Sequence, residues 1–366
     1  MKIINVVGAR PNFIKLAPLH RAFSSEAGVC SKIVHTGQHT GLSMSDVFFR
    51  QLALPEPDYH LHINTESPTR QLADILVRFE QVLTEEQPDW VLVIGDVTST
   101  LACALAAAQQ GIRIAHVEAG LRSGDRQMPE ERNRILTDAL SERLFVTEQA
   151  GVQNLQREGI SAHKVHLVGN VLIDALVQYR SQATELNMIG RLGLSAQSYV
   201  LVTIHRPFNV DTETSLRKVL ELIETVALQK TVIFPVHPRT QANLLAFGLE
   251  GQLMDIPNVR VLEPLSYLEF LNLMENAAAV ITDSGGVQEE TTYLQVPCLT
   301  VRPSTERPVT LTLGTNQLIS ELSKDSIRQY MDALPGQMRP QMTLPGLWDG
   351  RSANRIVNIL LAAHYE

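Results

Sequence analysis

The chain has 366 residues, 44% of them apolar and 19% charged, with a formal net charge of −8. That length admits two domains, each with its own core, and the composition is that of an ordinary soluble globular protein. The negative balance argues against non-specific nucleic-acid binding, and no apolar run approaches the ~20 residues that span a bilayer.

The opening segment MKIINVVGARP reads as a first strand and not as a signal peptide. Cys30, Cys103 and Cys298 are far apart, odd in number and without metal-ligand spacing, so they read as reduced thiols of a cytoplasmic protein. A β-branched run at residues 2–7 is followed by GARPN and an apolar helical pattern, in which Pro18 predicts a kink or a break. A strand at 32–36, a helix at 43–54 and a longer helix at 67–86 come next. The run WVLVIG (90–95) is too short for a helix and precedes one at 98–109. A strand at 112–117, a charged loop, a helix at 129–141 and a strand at 144–147 complete the first round. This alternation of apolar strands with helices predicts a parallel sheet covered on both faces.

After a strand at 165–168 and a helix at 172–186 the pattern restarts. Strands are expected at 199–204, 231–235, 259–262, 279–282 and 298–301, with helices between them. The fold class is therefore α/β with two doubly wound, Rossmann-like domains. The first is placed at 1–170 and the second at 171–352, with an amphipathic C-terminal helix (353–366) packing back on the first.

Doubly wound sheets bind ligands outside the carboxyl ends of their strands. The polar residues at those ends are Arg10, Asp96, Glu118, His205 with Arg206, His237, and Ser284. Six strand ends with reactive or cationic groups make this edge the candidate site.

Each motif carries an alternative. GARPNFIK (8–15) could bind phosphate through helix-start amides, Arg10 and Lys15, or be a tight turn with Pro11 in the first helical turn. Asp96 could cap the next helix unless Thr98 or Ser99 does so. The stretch HVEAGLRSGDRQMPEERNR (116–134) gathers Glu118, Asp125, Glu130, Glu131 and four arginines, which suits proton transfer on an anionic substrate or a merely ion-paired loop. Glu130 and Glu131 are rotated by about 100° on a helix, so at most one faces the strand ends squarely. Glu130 and Arg134, and then Arg134 and Asp138, are spaced to pair along one face. His205 and His237 are either structural or catalytic. In DSGGVQEE (283–290), Ser284, Gly285 and Gly286 open a helix after a strand, where amides and dipole can hold a phosphate. Glu289 and Glu290 lie in its first turns, where a carboxylate is placed to accept from ribose hydroxyls.

Taken together, GARPNFIK, HTGQH, GDVTST, HVEAGLRSGD, MPEERNR, HRP, PVHPR, ITDSGGVQEE and TERP resemble the non-hydrolysing UDP-N-acetylglucosamine 2-epimerase family. The resemblance implies a glycosyltransferase-B-like fold with the site in the inter-domain cleft, a cytoplasmic homodimer, no cofactor and no metal. It implies a UDP-sugar partner, with no nucleic acid and no membrane. The family inverts the second sugar carbon by eliminating UDP to 2-acetamidoglucal and adding it back. By the family pattern Asp96, Glu118 and Glu130 match catalytic carboxylates and His205 the histidine near the leaving group. Arg10, Ser284 and Glu290 match contacts to diphosphate and ribose, supported by Lys15 and Arg134. Arg206, His237, Gly285 and Gly286 complete the expected substrate-binding set. A modified UDP-sugar, such as a UDP-2,3-diacetamido sugar acid, is the alternative substrate, and a glycosyltransferase of the same fold the alternative class. Members activated by a second substrate molecule usually carry a glutamine and an arginine where this chain has Gly41 and Thr69, so that regulation is not expected here.

Overall fold

The computed structural model describes residues 1–37, 49, 51–63, 67–320, 323–334 and 344–365, and only the backbone of Arg10. Gly41 and most of the helix expected at 43–54 lie outside the described residues. The chain divides into two compact units, residues 1–178 with 345–366, and residues 179–344.

The first unit contains β1 (Lys2–Val7), β2 (Cys30–His35), β3 (Tyr59–His60), β4 (Trp90–Ile94), β5 (Arg113–Ala119), β6 (Arg143–Val146) and β7 (Val165–Leu167). They form one sheet in the order β3-β2-β1-β4-β5-β6-β7, parallel at every pairing. The interior strands are apolar on both faces because helices cover both: all five residues of β4 are buried. Helices Pro68–Glu86, Thr98–Gln109 and Pro129–Leu140 pack side by side, and helix Arg10–Ser24 packs with the C-terminal helix Ser352–Tyr365. That last segment is tied to this unit by Trp348 Nε1, which donates to the Thr147 carbonyl (3.1 Å), and by the Ala353 amide, which donates to Asp174 (2.6 Å).

Helix Arg10–Ser24 runs without interruption through Pro18, so of the expected kink or break the break does not occur. Phe13, Leu16, Ala17, Leu19 and Phe23 are all buried on it. Their burial, about 1.5–3 kcal/mol for each large side chain, outweighs the ~3 kcal/mol that an interior proline costs.

The second unit has β8 (Tyr199–Thr203), β9 (Thr231–Pro235), β10 (Val259–Leu262), β11 (Ala279–Thr282), β12 (Cys298–Val301) and β13 (Asn316–Ile319). Their order is β10-β9-β8-β11-β12-β13, again parallel at every pairing. β13 was not expected: its sequence NQLI has neither an apolar run nor alternation, and its pairing with β12 makes it a strand. Helix Glu213–Ala227 packs with Lys324–Ala333, and Tyr267–Asn276 with Gly285–Leu294. In each sheet the strand order reverses once, between β1 and β4 and between β8 and β11, which is where such folds leave room for a ligand. Among the described residues no helix is long and apolar enough to cross a membrane.

Candidate functional site

In the first unit, β1 ends into the helix that starts at Arg10, and β4 ends at Gly95 and Asp96. These are the two strands at the reversal. Asp96 does not cap the next helix; nor do Thr98 or Ser99, because the N-cap is Val97, which offers no side-chain bond. Asp96 instead forms an ion pair with Arg134, and its carbonyl accepts from Asn133 Nδ2 at 2.8 Å. Its carboxylate is partly exposed, whereas Arg134 is buried.

Glu118 sits one residue from the end of β5 with a left-handed backbone, φ +76°. The register of β5 against β6 shifts between Val117 and Ala119, so the residue occupies a bulge. A non-glycine residue held there costs about 1–3 kcal/mol and is found where surrounding structure over-determines it, commonly at functional sites. Its carboxylate is buried and ion-paired with Lys15, also buried. Gly95 lies under it: a Cβ on Gly95 would be 3.4 Å from Glu118 Oε2, and the residue is left-handed at φ +70°.

Helix Pro129–Leu140 separates Glu130 from Glu131. Glu131 is buried, accepts from the Ser123 and Gly124 amides (2.9 Å each), and pairs with Arg134 at 2.8 Å. Burial raises its pKa, but these donors more than offset that and hold it below the ordinary carboxylate range. Glu131 is thus committed to holding the loop, and Glu130 is the half-buried residue beside it. The pairing expected between Arg134 and Asp138 is also corrected. Arg134 pairs with Glu131 and Asp96, and Asp138 with His116 and Arg122, not with Arg134.

In the second unit, His205 follows β8. Its Nδ1 lies 3.2 Å from Asp283 and its ring stacks on His237 with centroids 4.8 Å apart. Burial lowers its pKa, against the pull of Asp283 and with help from Arg206, Arg239 and Arg302, so the imidazole is neutral at pH 7. His237 also caps its own helix by accepting from the Arg239 amide at 3.1 Å. Asp283, fully buried after β11, accepts from the backbone amides of His205 and Arg206 and from Asn209 Nδ2, at 2.8–3.1 Å. It fixes the turn that aims His205.

Helix Gly285–Leu294 has Ser284 as N-cap without a side-chain cap bond. Gly285 is required by contact: a Cβ there would fall 2.5 Å from Arg307 Nη1 and 2.8 Å from Glu306 Oε1. Behind it runs a buried chain of charges in which Arg302 pairs with Glu306, Glu306 with Arg307, and Arg307 with Glu289. Glu290 accepts from the hydroxyl of Tyr267 at 2.9 Å. The first unit therefore offers carboxylates for proton transfer, and the second an amide-lined helix start beside a neutral histidine, suited to a phosphate.

Comparison with known proteins gives this arrangement a relationship. The family described as UDP-N-acetylglucosamine 2-epimerase matches residues 21–361. The chain belongs to that family. UDP-N-acetylglucosamine 2-epimerase of Methanocaldococcus jannaschii is 40% identical over the full length of both proteins. The crystal structure of the Methanocaldococcus jannaschii epimerase in complex with UDP-GlcNAc and UDP superposes with a TM-score of 0.92, covering 99% of this chain and 100% of that one. A UDP-2,3-diacetamido-2,3-dideoxy-D-glucuronate 2-epimerase of Pseudomonas aeruginosa is 37% identical over 98% of this chain and 99% of its own. The fold is the two-domain α/β form of glycosyltransferase-B type that these epimerases share.

Several partners in this epimerase chain escaped the reading of its sequence. Asp283 obeys the same strand-end rule as the residues that were chosen and stands inside a motif that was quoted. Glu306 and Arg307 stand in TERP, also quoted, but nothing local announces that they back Gly285. His116 and Asn133 stand in quoted motifs and Asp138 at a quoted spacing, but nothing local announces their partners, and Tyr267 carried no signal beyond residue type.

Proposed function

We propose that this chain interconverts UDP-N-acetylglucosamine and UDP-N-acetylmannosamine by eliminating UDP to 2-acetamidoglucal and adding it back with a proton on the other face. The observation that carries the reading is Glu118, an acid held left-handed in a strand-end bulge beside the switch-point residue Asp96, in a member of this family. Asp96, Glu118 and Glu130 are the proton-transfer groups. Removal of the hydrogen beside the acetamido group requires a base on one face and redelivery an acid on the other. Asp96 is ion-paired with Arg134 and Glu118 with Lys15, and an ionised carboxylate is the form a base requires. His205, neutral and held by Asp283 through Nδ1, presents Nε2 near the departing UDP. The amides of Ser284, Gly285 and Gly286, with Arg10, Arg206 and His237, bind the diphosphate, and Glu290 the ribose hydroxyls. Lys15 and Arg134 act through the acids they pair with. Cytoplasmic residence and a homodimer belong to the same proposal; three unpaired cysteines favour the first.

The test is turnover in heavy water followed by NMR, with no cofactor added. Deuterium at the second sugar carbon of the product is expected. Unlabelled product would mean internal hydride transfer and end the elimination mechanism. The Pseudomonas relative acts on a diacetamido sugar acid, so that UDP-sugar is offered in parallel; faster turnover on it would reassign the substrate and leave the chemistry standing. Thr69 is exposed near the start of its helix, and we expect UDP-N-acetylmannosamine alone to be converted without lag and with hyperbolic saturation.

A further inference from the structure

Helix Pro129–Leu140 turns one buried face toward the strand ends. Glu131, Arg134 and Asp138, spaced i, i+3 and i+7, lie on that face and are all buried. Glu131 and Arg134 serve the loop at 123–124 and Asp96. Asp138 does something separate. One of its oxygens meets His116 Nδ1 at 2.7 Å; the other accepts from the Gly120 amide at 3.1 Å and from Arg122 Nη2 at 2.7 Å. The far nitrogen of His116 reaches the Gly95 carbonyl at 2.8 Å. Arg122 is held from its other side by Glu158, at 2.6 and 2.7 Å.

These bonds end on particular backbone positions. Gly95 is the residue before Asp96, and Gly120 is two residues after Glu118. Gly95, Glu118 and Gly120 are all left-handed, with φ of +70°, +76° and +79°. Glycine adopts that conformation freely, so the strained position is Glu118, which keeps its shape only when its neighbours impose it. Asp138 supplies bonds to both sides of it, directly to Gly120 and through His116 to Gly95. His116 and Asp138 are fully buried, so water does not compete for these bonds.

We propose that Asp138 is a positioning residue for the reaction: through His116 and Gly120 it sets the two strand ends that aim Asp96 and Glu118. The proposal rests on the function given above. Asp138→Asn keeps the volume but removes the charge that holds Arg122, and its amide N–H, turned toward His116, makes Nδ1 the acceptor where it faced one before. The carboxylates then shift by a fraction of an ångström, whereas the residues that bind UDP are untouched.

The experiment is steady-state kinetics of Asp138→Asn per folded molecule, together with its crystal structure. A fall in kcat of at least ~10-fold is expected, with KM for the UDP-sugar changed by less than about twofold. A variant that only melts earlier, with parental kcat, would overturn the proposal. Should Asp138→Asn fail to fold, Arg122→Gln tests the same hub from its solvent edge. A loss in kcat of about threefold at constant KM is expected there, since a displacement of the acids smaller than ~1 Å costs less than 100-fold, and parental kcat again overturns it. If the parent protein converts neither UDP-sugar, the functional reading fails. The crystal structures still decide the positioning: Glu118 and Asp96 unmoved in the variant would refute it in that case too.

Discussion

The two units solve the same problem with opposite uses of their acids. Both place polar residues beyond a parallel sheet at the point where strand order reverses. In the first, carboxylates stand at the strand ends and cations hold them there: Lys15 on Glu118, Arg134 on Asp96. In the second, the acid at the strand end, Asp283, is buried and spent on backbone amides, and Glu289 is neutralised by Arg307. What is left there at the helix start is amide and hydroxyl. The difference teaches that a strand-end carboxylate is not a catalytic group by position alone. Asp283 is framework because backbone N–H groups take up its oxygens, whereas Glu118 and Asp96 are held through side-chain cations.

The largest effect expected from this comparison is at Glu118. Glu118→Gln will lower turnover by at least ~100-fold and, by stranding a buried Lys15 ammonium, will destabilise the protein by about 3–5 kcal/mol. Denaturant titration beside kinetics separates the two. Parental turnover in folded enzyme would remove Glu118 from the proton-transfer set. Asp96→Asn and Glu130→Gln should lose turnover on the same scale without so large a stability cost, because neither carboxylate is fully buried.

Glu86 is the control for an acid of the first unit that is all framework. It bonds Lys32 (2.6 Å), Tyr59 (2.5 Å) and Lys2 (3.3 Å), and these hold its pKa at about 2, down from 4.5. A depressed carboxylate stabilises the fold fully above its unfolded value, and the contribution fades as pH falls from about 4.5 to about 2. Glu86→Gln should therefore be destabilised at pH 7 and approach the parent near pH 2, with kcat unchanged. A gap in stability that stayed constant across that range would show that the network does not depend on the charge.

A smaller effect tests the second unit. Gly285→Ala pushes a methyl group against Arg307, pinned by Glu289, and against Glu306, pinned by Arg302. The helix start must shift, and calorimetry should show UDP bound about tenfold more weakly, the scale of one good hydrogen bond to a charged group. Unchanged affinity would place the diphosphate elsewhere. Ser284→Ala should be mildest on stability, within about 0.5 kcal/mol, because its hydroxyl makes no cap bond. A larger loss of stability would mean that Ser284 supports the helix and not the ligand.

What the residues alone determined is the alternation of strands and helices, the two rounds of it, and the set of polar groups that follow strands. Those follow from apolar patterning and chain order, which are local. The same locality explains the errors. Pro18 looked like a kink or a break because its cost is local, while the burial that keeps the helix continuous is not. NQLI looked like nothing because a strand at 316–319 exists through its pairing with β12. Thr98 and Ser99 looked like caps, yet the helix begins on Val97 and Asp96 finds its partner 38 residues away.

The choice between Glu130 and Glu131 shows the limit best. Adjacent and identical in type, they differ only in what lies beside them once helix Pro129–Leu140 docks. The tertiary structure supplies Ser123, Gly124 and Arg134 to Glu131, whose oxygens are thereby spent on the loop. The same is true of His116 and Asp138, of Asp283, and of the Arg302–Glu306–Arg307–Glu289 chain. Sequence spacing on a helix or strand fixes which way a side chain leaves its own backbone. Which donors it meets depends on segments distant in the chain, brought together only when the sheet forms and water is excluded.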